Sequence, residues 1–143
     1  MSDSSSGTKQ LIERLNDALG WEMRALTLYA HYGAYVKGIY RLQLKPFFEA
    51  ESAESMTHAT TVRAAIVKLG GVARTERDST EIVHTTDYRV MLDESLKTET
   101  HAARSYKQIL EMGGLDSELY DAIEQIYFAE ERSVEELHQL GIA

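Results

Sequence analysis

The stretch Gly70-Gly-Val-Ala-Arg-Thr-Glu-Arg-Asp-Ser-Thr-Glu-Ile-Val-His-Thr-Thr86 decides how this chain folds. Its two leading glycines are a strong stop for a helix ending at Leu69. The next helix is expected from about Asp87. At ~3.3 Å per extended residue the stretch reaches roughly 55 Å. A ~25-residue helix is about 37 Å long. The segment can therefore run the full length of one helix and start the next parallel to it. A simple up-down-up-down bundle does not need such a connection. Ile82, Val83 and Thr85 are expected to pack along the flank of the bundle; the alternative is a mobile loop.

Working outward, the chain reads as all-helical. It has a single proline, Pro46, and many Ala, Leu, Glu and Lys residues, which favour helix. The first helix is expected from about Thr8, a candidate cap, to Lys37, with a turn at Gly38. The second starts between Leu42 and Pro46 and ends at Leu69. The third runs from about Asp87 to Met112, before Gly113-Gly114. The fourth starts at Asp116 or Ser117 and ends before Gly141. The connections around Gly38 and Gly113 are short, so they join antiparallel hairpins. Residues 1–7 are polar, carry no signal-peptide pattern and are expected to be a disordered tail. Residues 8–143 form one domain by length.

Bulk chemistry narrows the function. The net charge of −8 argues against a nucleic-acid footprint or attraction to anionic lipid. No run of 18 apolar residues exists, so no membrane span is expected, and a cytoplasmic location is the default. Cysteine is absent, which removes disulfides, zinc–thiolate sites and iron–sulfur ligation. Carboxylate, imidazole and thioether remain as metal ligands, a set that suits iron or manganese and leaves zinc open.

Four apolar stripes at helical spacing each carry a polar residue at mid-length. They are Leu15, Leu19, Glu22, Leu26, Tyr29; then Phe48, Glu51, Ser55, His58, Val62. The others are Leu92, Leu96, Glu99, Ala103, Tyr106, Leu110 and Leu119, Ile123, Ile126, Glu130, Val134, Leu137. A carboxylate on a buried face is expensive unless paired or bound to a cation. Four helices aiming Glu22, His58, Glu99 and Glu130 inward offset that cost if they hold a metal. A Glu and a His three residues apart lie about 60° apart around a helix, so both reach one ion.

Residues 9–141 resemble bacterioferritin, a ferritin-like family. The resemblance is carried by Leu15-Asn-Asp-Ala-Leu-Gly-Trp-Glu22 with Tyr29, by Glu51-Ser-Ala-Glu-Ser-Met-Thr-His58-Ala, by Met91-Leu92 through Glu99, and by Ala129-Glu130-Glu-Arg-Ser133. It implies a ferritin-like four-helix bundle with one long crossover and oxidation of Fe(II) at a di-iron ferroxidase site, with iron storage or homeostasis. Glu22, His58, Glu99 and Glu130 would act there, with Tyr29 beside them. It further implies a haem b on a dimer axis, held by Met56, and a homodimer or larger homo-oligomer.

Two departures alter the implied site. The family pattern places Glu-x-x-His on the second and fourth helices. Here these read Ser55-x-x-His58 and Glu130-x-x-Ser133. One ion is still expected on Glu22, His58 and Glu130, with Glu99 and a share of Glu130 left for a second. Glu54, four residues before His58, or Glu51, seven before, could rotate in as a substitute oxygen donor, with Glu54 closer along the axis. The family's fifth helix has no counterpart before Ala143, so a dimer is the safer expectation than a shell. A competing reading is a non-catalytic ferritin-like dimer that binds haem or a partner subunit. A DNA-binding miniferritin fits the acidic chain poorly.

Overall fold

The computed structural model describes residues 2–141, and four helices account for most of them. They are α1 (Ser2–Tyr35), α2 (Arg41–Lys68), α3 (Tyr88–Glu111) and α4 (Ser117–Leu140). No strand occurs among the described residues. Asp87 and Asp116 cap α3 and α4 by accepting from the backbone N–H of Arg89 and Leu119, which satisfies donors that have no partner inside the helix.

The helix starts differ from expectation in two places. α1 begins at Ser2, so Thr8 lies inside the helix and is not its cap. Met1 of the expected tail lies outside the described residues. α2 begins at Arg41, which puts Pro46 beyond the first turn. Proline lacks an N–H for the carbonyl four residues earlier. That carbonyl belongs to Leu42, which is exposed, so water can satisfy it. The turn between α1 and α2 passes through Gly38 at φ +93°. Arg41 closes it by donating to the carbonyls of Ala34 at 3.0 Å and Val36 at 2.8 Å. A guanidinium thus covers the carbonyl end of α1, which has no basic residue in its own last turn.

Around the bundle the order is α1, α2, α4, α3, with α1 packed on α2 and α3, and α4 on α3 and α2. Helices α2 and α3 are diagonal and parallel, as the long connection requires. That connection is an extended strap laid along α1 in the direction of α1. Asn16 donates to Val72 O and accepts from the N–H of Arg74. The N–H of Asp78 donates to Gly20 O. Tyr32 donates to Val83 O at 2.8 Å, and Ile82 packs against the core. The flank reading is therefore the one the molecule adopts.

The strap explains a surprise on α1. Arg24 is only 3% exposed. It donates to Thr80 O, Glu81 O and Thr98 Oγ1, and burial holds its pKa below the usual value. A helix covered on three sides buries more than one stripe, so Ala25 and Leu28 are in the core while Leu26 is only partly covered.

The core is in two apolar layers. One contains Leu15, Leu19, Val62, Ile66, Ile109 and Ile123; the other contains Leu28, Tyr32, Phe48, Met91, Leu92 and Leu137. On every helix the polar residue of the stripe falls between the two layers.

Candidate metal centre

Each helix brings one residue to that middle level. Glu22 comes from α1, His58 from α2, Glu99 from α3 and Glu130 from α4, and the three carboxylates are buried. His58 Nδ1 lies 3.0 Å from Glu130 Oε1 and 3.2 Å from Glu22 Oε2. Glu22, His58 and Glu130 offer ligand atoms all within 4.8 Å of one another. Two carboxylate oxygens at Nδ1 require a proton on that nitrogen. Burial opposes the imidazolium, but the hydrogen bond and charge of Glu22 outweigh it, so the His58 pKa is raised.

Tyrosines hold two of the carboxylates from the apolar layers. Tyr29 donates to Glu99 Oε1 at 2.7 Å, and Tyr106 donates to Glu22 Oε2 at 2.5 Å. Burial and the neighbouring carboxylates push both phenols well above their usual pKa, so both remain donors. Glu99 Oε2 is buried without a hydrogen-bond donor. Burial raises the pKa of Glu99, and raises that of Glu130 strongly, with Glu99 as its next largest influence. Two carboxyls this close share a proton when no cation is present.

Two serines stand at the positions where the sequence resemblance implies a Glu and a His. Ser55 and Ser133 are both buried. Ser133 donates to Glu51 Oε2 at 3.3 Å. Burial and the charge of Glu99 raise the Glu51 carboxyl to about 7. Glu54 lies on the other side of the imidazole. Its Oε1 is 3.6 Å from His58 Nε2, and its side chain is 43% exposed.

The geometry therefore gathers Glu22, His58, Glu99, Glu130 and Tyr29, as read from the sequence. It leaves Glu54 at the rim and Met56 on the outer surface, 51% exposed. Tyr106 was in the stripes but not among the expected site residues, and Glu51 was expected only as the more distant substitute donor. Tyr106 lies seven residues after Glu99, two turns along the same face, and that spacing was the available signal. Trp21, beside Glu22, stacks on His101 with ring centroids 4.5 Å apart, away from the carboxylates' hydrogen-bond network.

The donor set fits a hard or borderline cation. Three carboxylates and one imidazole converge in a buried layer, and one buried oxygen has no donor. Replacing the shared protons by a metal ion would satisfy all of them.

Residues 12–141 match the family model of the ferritin-like domain. A ferritin-like diiron-carboxylate protein from Bacillus anthracis is 34% identical, with 94% of this chain and 96% of that chain covered and a TM-score of 0.88. A dodecameric thioferritin from Bacteroides fragilis, a bacterioferritin-related protein, is 27% identical over 92% of this chain and 84% of that one, with a TM-score of 0.81. Bacterioferritin from Rhodobacter capsulatus shares the fold at 23% identity and a TM-score of 0.77, over 92% of this chain and 82% of its own. Among curated proteins, none matches the sequence significantly.

Proposed function

This chain belongs to the ferritin-like family, and on that premise we propose that it binds iron at the centre of the bundle and takes part in iron oxidation, storage or homeostasis through an altered di-iron site. The observation that carries this reading is the convergence of Glu22, His58 and Glu130 within 4.8 Å. Glu99 stands beside them with an unsatisfied buried oxygen. Iron is favoured over softer metals because oxygen donors dominate.

The side chains have distinct tasks. His58 must give up the Nδ1 proton to become a ligand, and Glu22 and Glu130 supply negative charge on either side of it. Tyr106 fixes the orientation of Glu22, and Tyr29 that of Glu99. Bound iron would supply the one-electron chemistry that no side chain here provides. The apolar layers above and below limit water at the site.

The test is metal content after purification without chelator, followed by anaerobic titration with Fe(II). Bound iron, lost in Glu22→Ala and in His58→Ala, is the expected result. Unchanged metal content in both variants would sink the proposal. Exposure of the same iron-loaded protein to air then reads oxidation directly as ferric absorbance.

A second reading is favoured by the exposure of Met56. Its thioether is available on the outer face of α2, where a second copy of the chain could share a haem. In that reading the protein is a ferritin-like dimer that binds haem without catalysis. Added haem should give a Soret band that Met56→Ala abolishes; an identical band in the variant removes this reading.

A further inference from the structure

We propose that His31 and His84 form a separate two-imidazole site for a tetragonal divalent cation, Cu(II) or Ni(II), where the strap runs along α1. The site lies outside the carboxylate layer, clasps the strap to the helix and does not depend on metal binding at the centre.

Three observations carry it. His31 Nε2 on α1 and His84 Nδ1 on the strap stand 2.9 Å apart, although the residues are 53 positions apart in sequence. Next, both rings are held in place. Tyr32 donates to Val83 O at 2.8 Å and Ile82 packs against the core, which fixes the strap just before His84. Tyr35, one turn after His31, packs on both rings, with centroids 4.5 Å from His31 and 4.7 Å from His84. Finally, the pair meets solvent: His31 is half-buried and His84 is exposed. An ion can therefore reach it without opening the bundle.

Two facing imidazoles share a proton: one inner nitrogen donates and the other accepts. A cation can take that proton's place. The proton then moves to the outer nitrogen of the same ring, and both inner nitrogens offer lone pairs. Metal–nitrogen bonds of about 2.0–2.1 Å meeting at a right angle put their nitrogens ~2.9 Å apart, whereas the tetrahedral angle of zinc needs roughly 3.4 Å. The separation seen here matches the right angle, the cis edge of the square-planar or tetragonal sites that Cu(II) and Ni(II) prefer. The rings stand at 71° with centroids 5.1 Å apart, and exposed His84 has room to turn toward an ion beside the pair. No Asp, Glu, Cys or further His among the described residues completes a group of three with it within 4.8 Å, so water fills the remaining positions. Nitrogen donors without carboxylate set this site apart from the oxygen-rich centre.

The experiment titrates Cu(II) into the full chain and counts the imidazoles on each bound ion by pulsed electron paramagnetic resonance. The wild type should show a tetragonal Cu(II) with two imidazoles. The central group holds a single imidazole, that of His58, so a count of two tells the sites apart. His58→Ala should keep the two-imidazole ion. His31→Ala and His84→Ala should each abolish it and weaken binding on the order of a hundredfold, the loss expected when a chelate becomes a single contact. Circular dichroism checks that each variant is helical. A two-imidazole ion absent from the wild type, or unchanged in His31→Ala and His84→Ala, overturns the proposal and leaves the pair as a fastening of the strap only. Loss of that ion in His58→Ala but not in His31→Ala would place the copper at the centre and also overturn it. Either failure leaves the reading of the central site as it stands.

Discussion

Glu22 shows how a charged residue survives in a core: His58 and Tyr106 both bond to the same oxygen, Oε2. Removing one of them tests the account. Tyr106→Phe should destabilise the metal-free protein by about 1.5–3 kcal/mol, the usual worth of a hydrogen bond to a charged group, measured by urea unfolding. The charges also set a pH dependence. The Glu51 carboxyl has an ordinary value of 4.5 and is raised to about 7 in the fold. Folding therefore takes up a proton between those values, and stability falls as pH rises through that window. His58, raised above 6.5, acts in the same direction. Its contribution is complete below 6.5 and is lost as pH rises through the folded value. In protein stripped of metal the melting temperature should fall from about pH 5 to about pH 8. A melting temperature that rises over that range would contradict these assignments. Glu22, His58, Glu99 and Glu130 were legible as residues because they interrupt apolar periodicity. Glu51 was harder to assign, because its tie to Ser133 comes from another helix.

At the scale of elements, the strap from Leu69 to Asp87 depends on α1 for its path. Arg24 is the main fastening, with two strap carbonyls and one α3 hydroxyl on a single guanidinium. Arg24→Ala should cost about 2–4 kcal/mol, through lost charged hydrogen bonds and unpaired buried carbonyls. Hydrogen exchange should quicken first in residues 78–84. Uniform exchange changes over all four helices would mean that Arg24 serves the whole bundle and not the strap. Asp116→Ala tests the other kind of fixing, a helix cap, and should cost about 1 kcal/mol. Helix ends were readable from Gly, Asp and Pro because those residues act locally. The burial of Arg24 was not, since an arginine next to an apolar stripe reads as exposed until a distant segment covers it.

For the whole molecule, metal and fold are linked through the layer of carboxylates between the two apolar layers. A cation that binds only the folded chain should stabilise it by about 2.7 kcal/mol at a hundredfold excess over Kd. The gain should be larger at pH 8 than at pH 6, since the metal competes with the proton on His58. A thermal melt with and without Mn(II) measures it, and an equal gain at both values would exclude proton release. Ile39, Leu42 and Val67 are exposed apolar residues on or beside α2. For the homo-oligomer expected from the sequence, light scattering should give a mass above one chain; a monomer at micromolar concentration would rule that out. No helix among the described residues is long and apolar enough to cross a membrane. The sequence by itself determined the helices, most of their ends, the parallel crossover and the polar residue on each stripe, because periodicity, caps and chain reach are local or one-dimensional properties. Only the tertiary structure decided that Arg24 is buried, that Tyr106 holds Glu22, and that Glu51 faces Ser133 while Glu54 stays at the rim. Those facts depend on which side chains from different helices meet at one level, and neither spacing nor composition carries that distance.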